Sequence, residues 1–146
     1  MGNVDPVEQA NFYCAFADSI GPDDLPPMID LEGSGIGGLS TRKYMDNVLK
    51  WIETVEEKTG RQPIIYVDNP FANQYLTDAR FADYQLWVAE YGPLAHTPNT
   101  WANAGKRWLI WQHTAREKMT GINGVTDGDM LVGDARVLFE PASKSK

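Results

Sequence analysis

The chain has 146 residues, 42% of them hydrophobic, which suffices for one domain with a packed core. A formal charge of −7 speaks against a non-specific nucleic-acid binder or an anionic-membrane binder, because both need a basic surface. The single cysteine, Cys14, excludes an internal disulfide and a thiolate metal cluster.

The opening MGNVDPVEQA lacks the basic and apolar segments of a signal peptide, so the expectation is synthesis and folding in the cytoplasm, with the site of action left open. No apolar run approaches membrane-spanning length. Asp5-Pro6-Val7-Glu8 predicts a helix start, with Asp as N-cap, Pro at the first helical position and Glu at the third. Val7, Ala10, Cys14 and Ala17 follow helical spacing, and Phe12, Tyr13 and Phe16 are expected to widen the apolar face until Gly21-Pro22 stops it. Pro26-Pro27 leads into a short strand, Met28-Ile29-Asp30-Leu31-Glu32. Ser40 caps a second helix with Tyr44, Val48, Ile52 and Val55 on one stripe, closed by Gly60. Pro63 to Val67 reads as a strand, Phe71 to Leu76 as a short helix, and Leu86 to Tyr91 and Trp108 to Gln112 as further strands. Gly124 to Leu131 adds a fifth. Strands alternating with helices in the first half predict parallel pairing in one α/β unit over residues 1–140, with 141–146 a disordered tail.

Asp30 and Glu32 are the chemical centre of this reading. In an extended strand, side chains i and i+2 share a face, with Cα atoms roughly 6.5–7 Å apart. Two carboxylates that close repel when both are ionised, so one pKa should rise, the usual condition for a general acid beside an anionic partner. Carboxyl groups about 5–5.5 Å apart also suit retaining glycoside hydrolysis. The plainer alternative is that both acids sit at the solvated end of an edge strand.

Gly33, Gly35 and Gly38 spell G-x-G-x-x-G, the fingerprint of a dinucleotide loop. The helix starts only at Ser40, so these glycines do not direct N–H groups onto a pyrophosphate, and the two acids would repel it. The fingerprint is a decoy, and the glycines suit a loop beside a groove. Asp127-Gly128-Asp129 fails the calcium-loop spacing because Leu131 stands where an oxygen ligand belongs. His96 and His113 lack metal-ligand spacing and have no nearby nucleophile motif. Nothing calls for a metal or a cofactor.

The stretches DPVEQANFY, LPPMIDLE, TGRQPIIYVDNPFANQYL, DYQLWVAEYG, RWLIWQHT and GINGVTDGDMLVG, in this order, resemble the family-25 glycoside hydrolases, the Chalaropsis-type lysozymes. The resemblance implies a partial β/α barrel of about five strands, lacking the family's first three strand units and its first active-site aspartate. It implies cleavage of the β-1,4 bond between N-acetylmuramic acid and N-acetylglucosamine in peptidoglycan, as in an endolysin of a phage-like lysis module. On this likeness Glu32 matches the proton donor. Asp30 matches its partner, which either orients the substrate's N-acetyl group or supports the oxocarbenium-like transition state. Tyr66, Trp87, Tyr91, Trp111 and Gln112 fall near the saccharide groove, and Asp127 and Asp129 match the acidic pair on the last strand. Two non-catalytic alternatives stand beside the enzyme: a degenerate barrel that binds glycan, and a fragment that needs a complementing chain. Open sheet edges also predict self-association.

Overall fold

The computed structural model describes residues 4–17, 19–33 and 35–139; the expected tail at 141–146 lies outside them. Helix α1, Pro6–Phe16, starts as its sequence demands: the Asp5 carboxylate accepts hydrogen bonds from the Val7 and Glu8 amides. Strand β1, Met28–Leu31, follows. Helix α2, Thr41–Thr59, runs from the Ser40 cap to Gly60, whose φ of 67° is the left-handed conformation that closes a helix. Strand β2 is Ile64–Asp68, helix α3 Asn69–Tyr75, strand β3 Leu86–Ala89 and helix α4 Asn99–Asn103. Strands β4, Ile110–Glu117, and β5, Thr126–Leu131, finish the sheet.

The strands lie in the order β1-β2-β3-β4-β5. β1 to β4 pair in parallel and β5 returns antiparallel to β4, with register shifts between Gln112 and Thr114 and between Thr114 and Glu117. The α/β partial barrel of five strands expected from the sequence is what the chain forms. β4 runs on to Glu117, past the Trp108–Gln112 segment that hydropathy marks, because its outer half is mostly polar, whereas β5 lies within the expected Gly124–Leu131.

Alternation along the strands separates two faces. Ile29, Leu31, Ile65, Val67, Leu86, Val88 and Trp111 belong to one buried cluster with Val48, Ile52 and Val55 of α2 and with Phe71, Phe81 and Trp101. Trp101 is fixed there by its indole N–H, which donates to the Tyr84 carbonyl at 2.9 Å. The opposite face carries Asp30, Tyr66 and Trp87 in register across β1, β2 and β3.

Three short elements were not visible in the sequence: α4 and single 3-10 turns at Ala79–Asp83 and Ala135–Leu138. Each is too brief to show a hydrophobic period. One expectation for α1 also fails. Phe12 and Phe16 do not widen a buried face: they stack on each other with centroids 6.4 Å apart and are 75% and 85% exposed. Among the described residues only Ala10 of α1 is fully buried. The helix sits at the β1 end of the sheet, where no described strand continues the ladder, so Phe12 and Phe16 meet solvent.

Candidate active site

β1 delivers Asp30 and Glu32 to the face away from the helices, since Ile29 and Leu31 between and beside them are buried in the core. Both acids are solvent-exposed and both line a groove of about 350 Å³, within the range of ligand sites. The same groove is lined by Met28, Tyr66, Trp87, Tyr91, Gln112, Asp127 and Asp129. Eight of the nine residues singled out from the sequence therefore meet in one place, although they come from all five strands and their carboxyl-end loops.

Trp111 is the exception. It alternates with Gln112 along β4, so only one of the two can face the groove. The structure turns Trp111 to the helix side, where it is 9% exposed, packs against Trp108 with centroids 5.8 Å apart, and donates its indole N–H to the Glu90 carbonyl at 2.7 Å. It is a core residue that ties the end of β3 to β4.

The groove is held by a short polar network. Gln112 is 5% exposed, and its Oε1 accepts the phenol hydroxyls of Tyr66 and Tyr91, each at 3.0 Å. The Trp87 indole N–H donates to Asp129 Oδ1 at 2.7 Å. Tyr66 and Trp87 meet edge to face, with centroids 5.3 Å apart. Burial, followed by the negative field of Glu32, Tyr91, Asp30 and Asp127, pushes the Tyr66 phenol up to about 12, so it stays protonated and remains a donor. Tyr91 is raised by burial and by Asp127, Glu32 and Asp129.

The carboxylates divide as well. Asp30 is pushed above the usual aspartate range by partial desolvation, and Asp129 by desolvation and by Asp127, against the lowering effect of the Trp87 hydrogen bond. The expectation is that repulsion within the pair raises the general acid; the structure instead raises Asp30, and the cause is burial. Among the described residues no group of three or more His, Cys, Asp or Glu is arranged to cage a metal ion.

A second hollow of about 420 Å³ adjoins the first. It shares Glu32, Tyr66 and Tyr91 with the groove and adds Asp68, Pro70, Ala89 and Glu90. Glu32 thus borders both spaces, whereas Asp30 borders only the first of these two. Sequence reasoning missed Asp68 and Glu90. Asp68 caps α3 by accepting the Phe71 amide at 2.7 Å. Glu90 accepts from the His96 backbone N–H and pairs with His96 Nδ1, both at 2.7 Å, which folds the loop after β3 back on itself. Burial works against ionisation of Glu90, but the hydrogen bonds from His96 and Asn69 outweigh it and hold the carboxyl below its ordinary range. The available signal was position: both acids stand at the carboxyl ends of parallel strands, where open α/β sheets bind ligands.

The glycines and the DGD segment resolve differently. Gly33, Gly35 and Gly38 adopt φ of 125°, 155° and 76° in a loop that ends before the Ser40 cap, so they are not at a helix N-terminus. Gly128 lies inside β5 opposite Thr114. A Cβ there would come within 2.9 Å of Thr114 Cγ2 and 3.0 Å of His113 Cε1. Gly128→Ala should therefore push β5 away from β4, shift both flanking acids and break the Trp87–Asp129 hydrogen bond. The expected result is a loss of about 1–3 kcal/mol in urea unfolding, together with altered Trp emission.

A mostly parallel sheet that gathers acids, aromatic rings and an amide at the carboxyl ends of its strands has the layout of a β/α ligand site. The chain belongs to glycosyl hydrolases family 25, whose family model matches residues 2–122. Among curated proteins it is 35% identical over 115 residues to the uncharacterized protein YegX of Escherichia coli K12, a match covering 79% of this chain and 39% of that one. The chain thus spans about two-fifths of that relative's length. Among solved structures it is similar to a family GH25 lysozyme from Aspergillus fumigatus, with a TM-score of 0.77 at 26% identity, over 96% of this chain and 68% of that one. The bacterial lysozyme from Streptomyces coelicolor superposes with a TM-score of 0.79 at 22% identity, over 95% of this chain and 66% of that one, which shows the shared fold.

Proposed function

We propose that this chain carries the catalytic groove of a muramidase, hydrolysing the β-1,4 bond between N-acetylmuramic acid and N-acetylglucosamine in peptidoglycan strands. The observation that carries the reading is the position of Glu32 on the wall common to two adjoining hollows, with Asp30 two residues away in only one of them. A glycosidase needs its acid at the boundary between two sugars, since the proton goes to the oxygen that joins them. Membership in family 25 and the similarity to a GH25 lysozyme support the same reading.

In this account the sugar losing its substituent sits in the 350 Å³ groove, against Asp30 and the ring of Trp87, and the leaving sugar sits beside Tyr91 and Glu90. Glu32 gives its proton to the bridging oxygen as the C1–O bond breaks. Positive charge then spreads over C1 and the ring oxygen, facing Asp30. Glu32, now a carboxylate, removes a proton from the water that completes hydrolysis, which regenerates the acid. Electrostatic complementarity is strong: Asp30, Glu32, Asp127 and Asp129 all line the space in which that charge develops.

Purified peptidoglycan tests the reading. Addition of the chain should lower the turbidity of a peptidoglycan suspension. If turbidity stays constant while the glycan co-sediments with the protein, the chain is a glycan-binding module instead. No clearing and no co-sedimentation would remove the carbohydrate reading for the chain alone.

A further inference from the structure

Of the side chains that line the groove, most are acceptors or have their donors in use. Asp30, Asp127 and Asp129 are carboxyl groups, and the proton of Glu32 is committed to the bridging oxygen. The Tyr66 and Tyr91 hydroxyls are given to Gln112, and the Trp87 N–H is given to Asp129. Gln112 differs. Both phenols converge on its Oε1, which fills that oxygen's two lone pairs and fixes the plane of the amide. Its Nε2 makes no hydrogen bond within the protein, yet no buried polar side-chain atom among the described residues is left unsatisfied, so this amine reaches the groove.

A nearly buried glutamine held by two tyrosines with its donor left open is a fixed N–H pointing at a ligand acceptor. The chemistry of the ligand follows from what the other groups can do. Sugar hydroxyls and the N–H of an acetamido group can donate to the carboxylates around them. The carbonyl oxygen of an acetamido group cannot, because it is purely an acceptor, and burying it without a donor costs free energy. We infer that Gln112 Nε2 donates to the acetamido carbonyl oxygen of the sugar in the groove, and that Tyr66 and Tyr91 act as positioning residues which lock the amide for that contact. The pair of tyrosines and Gln112 together form the element that selects N-acetylated over unmodified sugars. This rests on the carbohydrate reading above and adds the group that the site recognises.

The test compares two neutral ligands that differ only at C2: the tetramer of N-acetylglucosamine, and cellotetraose, which carries a hydroxyl there. Binding is followed by the emission of the groove tryptophan. The native chain should bind the N-acetylated tetramer about tenfold more tightly, the worth of one well-made hydrogen bond. Gln112→Met should lose most of that preference, so that the ratio of the two affinities falls toward one. Gln112→Glu keeps an oxygen for the two phenols and removes the donor, so it should lose the preference too, and it serves if the methionine variant does not fold. Tyr66→Phe should weaken the preference by a smaller factor, since Tyr91 still holds the amide. Preference retained in both Gln112 variants would overturn the inference. A native chain that binds both tetramers equally would also overturn it, and if that chain still clears peptidoglycan, the muramidase reading stands without it.

Discussion

Replacing Glu32 with glutamine is expected to lower peptidoglycan hydrolysis by about 10³-fold, the usual contribution of a general acid, and to leave folding stability within about 0.5 kcal/mol of the native chain. The two halves of this prediction have separate structural causes. Glu32 lies just past the end of β1, is exposed, and makes no hydrogen bond to the protein among the described residues, so its removal disturbs no packing. It also borders both hollows, the position that the proposed mechanism asks of its proton donor. Glutamine keeps the shape and offers an N–H in place of the acid, which cannot be transferred. Turnover of peptidoglycan and urea unfolding of the two proteins check the two halves independently. Equal turnover would remove Glu32 from the role.

Asp30→Asn should act in opposite directions on activity and stability. Removing the group that the proposed mechanism sets against developing positive charge should cost about 10²-fold or more in rate. The stability effect follows from the sign of the pKa shift. Asp30 is raised in the folded chain by desolvation, so the folded state holds its proton more tightly than the unfolded state does. Stability from this group is therefore greatest below the ordinary carboxylate range and declines as pH rises through the raised folded value. At neutral pH the charged carboxylate costs stability, and the amide removes that cost. The variant should melt at or above the native chain at pH 7, and the difference should disappear in acid below the ordinary aspartate range. Because Asp30 is exposed, the gain is small. A variant that melts lower at pH 7 would contradict the assignment of desolvation as the dominant influence. A functional group that strains its own fold in this way is the common balance between stability and activity.

Much of this site could be read before any coordinate. Asp30 and Glu32 share a face because a strand alternates, and that rule needs nothing beyond the segment Met28–Glu32. The start of α1 and both ends of α2 follow from capping chemistry, so Asp5, Ser40 and Gly60 mark their boundaries to the residue. Which face of the sheet looks toward the helices is a tertiary property, and local pattern is silent on it when both faces carry aromatics. That is why Trp111 and Gln112 could not be separated by reading. The burial of Phe12 and Phe16 fails for a related reason: helical spacing shows which residues lie together, while what they meet depends on the neighbouring strand. Gly128 shows the converse, since a close approach between β4 and β5 leaves no trace in the order of residues; it emerges only because an added Cβ would lie 2.9 Å from Thr114 Cγ2.

The most direct measurement is mass spectrometry of the fragments released when peptidoglycan is digested in ¹⁸O-labelled water. The account predicts fragments ending in a reducing muramic acid that carries one heavy oxygen at C1, formed by the native chain and absent with Glu32→Gln. Fragments ending in glucosamine, unlabelled anhydro ends, or the same labelled products from both proteins would contradict it.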